Sequence, residues 1–426
     1  MKKIVSVVGG GIAGLTAAYM LSQRDDIEVH VFEARDNLGG RIQSKNVNGT
    51  DVDFGGFLIY PWYKNCHALL ELLGLTNKLS MTPMDDIYYV LSDSGIPVLQ
   101  KDIPFSKRDV LEIFSKSLLK LLPESNVANP GLDRFGNMTI SEYLRSVLKV
   151  DGHAGVFESY FDTVNQGYCY GPVNKTKAAF MAPIVRQTKL HGDVYKSSYF
   201  HEGTGQIIQS LSSAIEARGG RIHLGMPVTG VDGTNLIVGG KIFASDMIVF
   251  AQTVTDDLYK EILPDVSPEC WYTHFITATM EFDAAPRVNE KDSWGAVFYE
   301  SEPKRTQQIL SAVNLASLYG EELSRCINVN VVLRSDHDVE IDLDSIEREL
   351  SQELAKLFPL ATGGTMVEHV HWKATMPVSQ EAFVQAIREH QGLDGYYFAG
   401  DYLGAPSIET AVSTGKMAAE LLISSL

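Results

Sequence analysis

The 426-residue chain is short of cysteine, of positive charge and of long apolar runs, and each shortage removes a class of protein. Its four cysteines, Cys66, Cys169, Cys270 and Cys326, form no C-x-x-C and no C-x-x-C-H, so neither a metal site nor a c-type haem is suggested. They read as reduced, buried thiols, which makes a cytoplasmic protein the expectation. Lysine and arginine number 36 against 53 aspartates and glutamates, a net charge of −17. That balance argues against nucleic acid and against broad contact with anionic membranes. No run of 18 apolar residues exists, so no transmembrane helix is expected. The start, MKKIVSVVGG, is basic and then apolar, but the run breaks into glycines after about five residues and does not read as a signal peptide. Internal repeats and low-complexity tracts are missing too. What remains is an ordinary globular composition, long enough for two domains, acting on a small molecule as a monomer or homodimer.

What is present is concentrated first at Ile4–Arg41. An apolar run over Ile4–Val8 predicts a buried parallel strand. Gly9-x-Gly11-x-x-Gly14 follows at once and opens a helical pattern through Ile12, Leu15, Ala18 and Tyr19. The first glycine permits the tight turn, the second lets backbone approach a pyrophosphate, and the third lets helix and strand pack closely. The helix N-terminus offers Ile12 and Ala13 amides and a positive dipole end to phosphates. A second strand, Glu28–Phe32, ends at Glu33, where a carboxylate suits a ribose hydroxyl and would repel the 2′-phosphate of NADP. This is one dinucleotide-binding βαβ unit.

Further along, Ile42–Phe54 reads as a turn and a strand, with Asn48-Gly49 as the turn signal, before Asp53-Phe54-Gly55-Gly56. Tyr60-Pro61-Trp62-Tyr63 is an aromatic cluster, readable equally as core or as a chamber wall. A helix is predicted over His67–Leu73, a turn at Asp93-Ser94-Gly95, an amphipathic helix over Phe105–Leu122 and another over Ser141–Leu148 capped by Thr139 or Ser141. Phe105–Leu122 reads as a packed cap helix, so peripheral membrane contact is not expected. Strands are predicted at Val228–Val231, Asn235–Val238, Lys241–Phe243 and Asp246–Ala251. Ile276–Phe282 alternates and predicts a half-buried strand, with Ile276, Ala278 and Met280 facing one way and Thr277 and Thr279 the other. Val367–Trp372 predicts a strand, and Trp372-x-x-x-x-Pro377 after it resembles a tryptophan-to-proline turn of the superfamily named below. At the C-terminus a short strand, Tyr396–Ala399, runs into Gly400-Asp401, and a helix starts at Ile408 with Ser407 as its cap. Its small face (Ala411, Gly415, Ala418, Ala419) is suited to close packing against sheet or cofactor.

The stretch VFEARDNLGGR, together with the Gly400-Asp401 segment, resembles the superfamily of flavin-containing amine oxidases, phytoene desaturases and protoporphyrinogen oxidases. The resemblance implies a Rossmann-like α/β FAD-binding domain, a parallel sheet with helices on both faces. Inserted in it would be an α+β substrate domain with a mixed sheet and a helical cap. The expected division is 1–80, 201–264 and 386–426 for the first and 81–200 and 265–385 for the second. It also implies that non-covalent FAD lies against Gly9, Gly11, Ile12, Ala13, Gly14, Glu33, Ala34, Gly40, Arg41, Gly55 and Gly56. Val228 would bring its backbone to the adenine, and Trp372 would stand beside the flavin. Gly400 and Asp401 would hold the ribityl or pyrophosphate region, with Ser407 and Ile408 at a helix end aimed at the flavin N1–C2=O edge. Arg41 would lie against the phosphates and the flavin edge, and a fixed guanidinium suits a diphosphate. Some relatives attach flavin through a cysteine; Cys169 lies mid-chain and is not expected to do so.

In this superfamily flavin N5 accepts hydride from a substrate carbon. Amine oxidases carry a lysine on the strand aligned with Ile276–Phe282, and here Thr277 takes its place. No acid or base stands out; Thr277, His371 and Trp372 are weak catalytic candidates. Three activities stay open: dehydrogenation of a carbon–carbon bond, oxidation of an amine or amino acid with release of peroxide, and a non-redox isomerase or FAD-binding role.

Overall fold

A computed structural model describes residues 2–82, 86–90, 96–99, 102–103, 137–147, 162–163, 165, 174–180, 197–267, 270–289, 294–300, 307–333 and 340–426. Five parallel strands form its first sheet, in the order Tyr396–Phe398, Met247–Phe250, Lys3–Val8, Ile27–Phe32, Arg221–His223. Val5, Val7, Ile248, Val249 and Phe250 are fully or almost fully buried, because both faces of the sheet are covered. One face packs the helices Ile12–Ser22, Gly205–Ala217 and Ile408–Ser424, through Leu15, Ala18, Ile207, Leu211, Ala418 and Leu422. The other face packs an antiparallel meander, Val228–Asp232, Asn235–Val238 and Lys241–Phe243, and the helices Asp256–Ile262 and Glu381–Glu389. Register places Val8 beside both Phe32 and Phe250, and Phe250 beside Phe398, so four strands end in one row. The chain runs outward from Lys3–Val8 to Arg221–His223, then returns to the other side at Met247–Phe250. The topological switch point therefore lies between Lys3–Val8 and Met247–Phe250.

The second sheet is mixed, in the order Thr365–Ser379, Cys270–Glu281, Cys326–Leu333, Gln307–Asn314, Ala296–Tyr299, Ile87–Val90, Pro97–Leu99. Two expectations fail here. Cys270–Glu281 is buried on both faces, not half-buried. Ile276, Ala278 and Met280 pack beneath Ile346, Leu350 and Leu354 of the helix Leu343–Leu357. The opposite face is covered by Val47, Val52, Phe54 and Tyr319. The polar alternation is real, but it marks side-chain pairing and not solvent. The expected turn from Trp372 to Pro377 is absent as well. Thr365–Ser379 is one 15-residue strand whose irregularity is a register shift against Cys270–Glu281, with Met376 at φ 46. The proline is tolerated because this strand is a sheet edge, where its missing N–H breaks no ladder bond.

Smaller differences have local causes. The helix expected over His67–Leu73 spans Lys64–Leu72, since Glu409 supplies acceptors to the Asn65 and Cys66 amides at its start. Thr139 and Glu142 form a reciprocal capping box, so Thr139 is the cap; only Ile140–Glu142 is α-helical before a π turn over Tyr143–Val147. The small face of Ile408–Ser424 packs closely on the helix Ile12–Ser22: a Cβ on Gly415 would lie 2.2 Å from the Ala13 carbonyl oxygen. Asn48-Gly49 and Gly239-Gly240 turn their hairpins with positive φ at both residues, as type I′ turns require. Asp93-Ser94-Gly95, Phe105–Leu122 and Cys169 lie outside the described residues. Among the described residues no helix is long and apolar enough to cross a membrane.

Candidate active site: a crevice at the ends of the parallel strands

The three opening glycines are required for three different reasons. At Gly9, φ is +109° and a Cβ would stand 2.7 Å from the Ala251 carbonyl oxygen, so the chain itself demands glycine. Gly14 would drive a Cβ to 2.1 Å from the Gly9 carbonyl oxygen and against Val7. Gly11 differs: its Cβ would meet only the Cα of Gly40, at an ordinary 3.7 Å. Nothing in the protein excludes a side chain there, which leaves the space over Gly11 as room for a ligand. Gly11 is also the N-cap of Ile12–Ser22, with no side-chain cap and no acidic residue in the first turn. The amides of Ile12 and Ala13 are thus positioned for an anion.

Glu33 ends the neighbouring strand. Its carboxylate accepts from the Gly10 amide at 2.7 Å and the Arg35 amide at 3.0 Å. Those bonds fix its direction at the end of its strand, with Ala34 exposed next to it. The second glycine loop docks on the first: the Gly39 amide donates to the Gly10 carbonyl at 2.9 Å, and a Cβ on Gly40 would stand 3.0 Å from the Gly11 Cα. Val228 opens the first strand of the meander, half-buried, beyond the Glu33–Met226 backbone contact.

At the other end of the row, Arg41 and Asp401 face one another. Arg41 donates two bonds to the carboxylate, at 2.9 and 2.6 Å, across 360 residues of sequence. Burial opposes the Arg41 charge, but the facing carboxylate outweighs it and its pKa is raised. Around this pair, the Gly56 amide donates to the Arg41 carbonyl at 3.0 Å, and a Cβ on Gly55 would collide with that oxygen at 2.1 Å. Ile408 packs near Gly56, and the Ser407 hydroxyl caps its helix by accepting from the Thr410 amide at 3.0 Å. Gly400 has φ +151°, is held by Thr414, and sits where a Cβ would strike the Tyr402 ring.

Further side chains stand around these loops. Asp53, behind the Gly55-Gly56 loop, accepts from Ser44 Oγ, the Thr204 amide, Thr204 Oγ1 and Tyr319 OH at 2.6–3.1 Å. Burial still raises its pKa to about 6, against the pull of those bonds. Cys270 and Tyr272 border the Arg41–Asp401 end. Burial raises the Cys270 thiol, beside Ser379, Tyr272 and Asp401. Lys177 is buried and donates to the Ser379 carbonyl at 2.5 Å. Tyr60, Trp62 and Tyr63 prove to be packed core, with Tyr60 and Trp62 stacked at 4.7 Å.

The three weak catalytic candidates lie together on two adjacent strands of the mixed sheet. Thr277 donates to Asn330 at 2.8 Å and accepts from the Trp372 indole at 3.2 Å. Trp372 is otherwise core, packed with Phe275 and Phe54. His371 and His274 bring their Nε2 atoms to 2.5 Å, a separation that admits one shared proton and not two. Among the described residues no cluster of histidine, cysteine and carboxylate could hold a metal ion.

A glycine-lined crevice at the switch point of a parallel sheet defines a dinucleotide-binding α/β protein. The chain belongs to the flavin containing amine oxidoreductases, whose family model matches residues 12–423, and it is a flavin-dependent oxidoreductase. Protoporphyrinogen oxidase 2 of Arabidopsis thaliana is 21% identical over 500 aligned positions, covering 100% of this chain and 94% of the relative. A candidate protoporphyrinogen oxidase from Exiguobacterium sp. 255-15 shares the fold at a TM-score of 0.77 and 17% identity, with 100% of each chain covered. Putrescine oxidase bound to putrescine does so at 0.74 and 18% identity, covering 100% of this chain and 99% of the other.

Proposed function

We propose that the chain holds FAD without a covalent bond and uses it to dehydrogenate a carbon–carbon bond of a small, largely apolar molecule. Gly9, Gly11, Ile12, Ala13 and Gly14 would cradle the diphosphate, Glu33 and Val228 the adenosine, and Arg41, Gly55, Gly56, Asp401 and Ile408 the flavin half. Bound there, the flavin supplies a two-electron acceptor for hydrogen leaving a substrate carbon. The observation that carries the choice of reaction is Thr277. By the resemblance it takes the place of the lysine of amine oxidases, and its hydroxyl is committed to Asn330 and Trp372. His371 is likewise committed to His274. With the Thr277 hydroxyl and the His371 imidazole engaged, the reading is a substrate oriented for transfer by placement more than by a side-chain base. The full-length likeness to a protoporphyrinogen oxidase agrees with this reading.

The fold shared with putrescine oxidase keeps amine oxidation as the second reading. The test is anaerobic: the flavin bands near ~450 nm are followed while substrates are added. Bleaching by a cyclic or polyene precursor, with a product two hydrogens lighter, is the expected result. Peroxide release with an amine panel in air would replace it with the second reading. Bleaching without a change in product mass would point to an isomerase.

A further inference from the structure

Two helix N-termini meet at one buried carboxylate. Glu409 lies in the first turn of Ile408–Ser424 and is 3% exposed. Its side chain does not serve its own helix, which Ser407 caps. Oε1 accepts from the Asn65 amide at 3.0 Å and from Asn65 Nδ2 at 2.8 Å, and Oε2 accepts from the Cys66 amide at 2.9 Å. The helix Lys64–Leu72 has no side-chain cap of its own, so Glu409 fills that place from 344 residues away. Each of these partners is an N–H donor, a set that suits a carboxylate and leaves nothing to accept a carboxylic acid's proton. Among the described residues no lysine, arginine or histidine pairs with it; Arg41, a cation at this end of the crevice, is engaged by Asp401. The charge is felt next door, where the Cys66 thiol is pushed up by burial first and by Glu409 second. A negative charge is thus kept inside the protein and offset by dipoles alone.

The start of the same helix borders the crevice. Ile408 lies 3.5 Å from where a Gly56 Cβ would stand, and the Gly56 amide donates to the Arg41 carbonyl. On the FAD reading above, the flavin N1–C2=O edge lies at this helix end. Reduction by two electrons and one proton leaves a negative charge on that edge. The helix dipole favours that charge, and Glu409, one residue beyond Ile408, opposes it. We infer that Glu409 tunes the flavin: its buried charge holds the reduction potential below the value the helix dipole alone would set. The reduced cofactor then gives up its electrons more readily to the next acceptor. This inference rests on the FAD reading.

The experiment is anaerobic redox titration of the flavin-loaded full-length protein against a reference dye, for wild type, Glu409→Gln and Glu409→Asp. The Kd for oxidised FAD is measured in parallel. Loss of the charge is expected to favour reduced over oxidised flavin about tenfold, read as a midpoint potential about 30 mV higher in Glu409→Gln. The oxidised ring carries no charge, so the Kd for oxidised FAD should stay within about threefold. Glu409→Asp keeps the charge with a shorter reach, and its potential should stay with the wild type. An unmoved or lowered potential in Glu409→Gln overturns the inference. An equal rise in Glu409→Asp also overturns it, because lost contact with Lys64–Leu72, and not lost charge, would then be the cause. Should Glu409→Gln fail to fold, Asn65→Asp places a second carboxylate at a helix start that favours one. A midpoint about 30 mV lower in that variant supports the inference, and an unmoved one overturns it. A wild type that binds no FAD would instead remove the reading on which the inference rests.

Discussion

The crevice at the parallel strand ends and the polar row on the mixed sheet are built from opposite materials. The crevice is backbone: glycines whose missing Cβ atoms let strand ends, a second loop and a helix N-terminus converge. The polar row is side chain: Thr277 with Asn330, Thr279 with Asn328, and Asn328 reaching the Asp53 carbonyl at 3.0 Å. A backbone site tolerates almost no substitution at its glycines, because a Cβ cannot rotate away. A side-chain network can lose one member and keep its geometry. The first region therefore writes a motif into the sequence, and the second does not.

Gly14→Ala is the sharpest way to break this contrast. Its Cβ would stand 2.1 Å from a backbone oxygen that cannot yield without moving the Gly9 turn. We expect a loss above ~3 kcal/mol in urea unfolding and a protein that purifies without flavin. Gly49→Ala is the control: it has φ +92° but nothing within 4 Å, so strain is its only penalty, at about 1 kcal/mol with flavin retained. Equal effects of the two substitutions would show that close approach is not what fixes the crevice.

That contrast also explains what could be read in advance. The βαβ unit was legible because Gly9, Gly14 and Glu33 each answer a backbone demand at a fixed spacing. The turn at Asn48-Gly49 and the hairpin around Gly239-Gly240 were legible for the same reason. The two-sided burial of Cys270–Glu281 was not, since a threonine facing an asparagine and a threonine facing water look alike in one strand's pattern. The long edge strand hid behind Pro377, which reads as a stop unless the strand is known to be outermost. The pairing of Arg41 with Asp401 joined two segments that had each been read as facing a cofactor.

Asp53 sits between the two regions and gives the next largest effect. Its folded pKa is raised from 3.8 to about 6, so the ionised form is disfavoured in the fold. The stability it contributes is fully present below about pH 4 and is lost as pH rises through about 6, on the order of 3 kcal/mol in all. Asp53→Asn removes that titration. Urea unfolding from pH 4 to 7 should show wild type losing ground to the variant as pH rises; parallel curves would mean that the four donors, not burial, dominate the carboxylate.

The Arg41–Asp401 pair comes third. Arg41 is one-third exposed, which discounts the bond relative to a fully buried pair. A double-mutant cycle with Arg41→Ala and Asp401→Ala should give a coupling of about 1–2 kcal/mol in stability, with FAD affinity falling in both single variants. Additive effects would mean that the two side chains serve the cofactor separately.

The smallest effect belongs to the polar row. Thr277→Val keeps the shape of the strand and removes one hydroxyl, leaving the Trp372 indole N–H and the Asn330 oxygen each short of one bond. We expect about 1–2 kcal/mol of stability lost and no change in flavin content, since no backbone moves. If instead the flavin is lost, the mixed sheet holds the cofactor as rigidly as the glycine loops do. If the flavin stays and only its reduction by substrate slows, Thr277 acts on the chemistry through the Trp372 ring it orients. In that case the side-chain region, and not the crevice, sets what the enzyme oxidises.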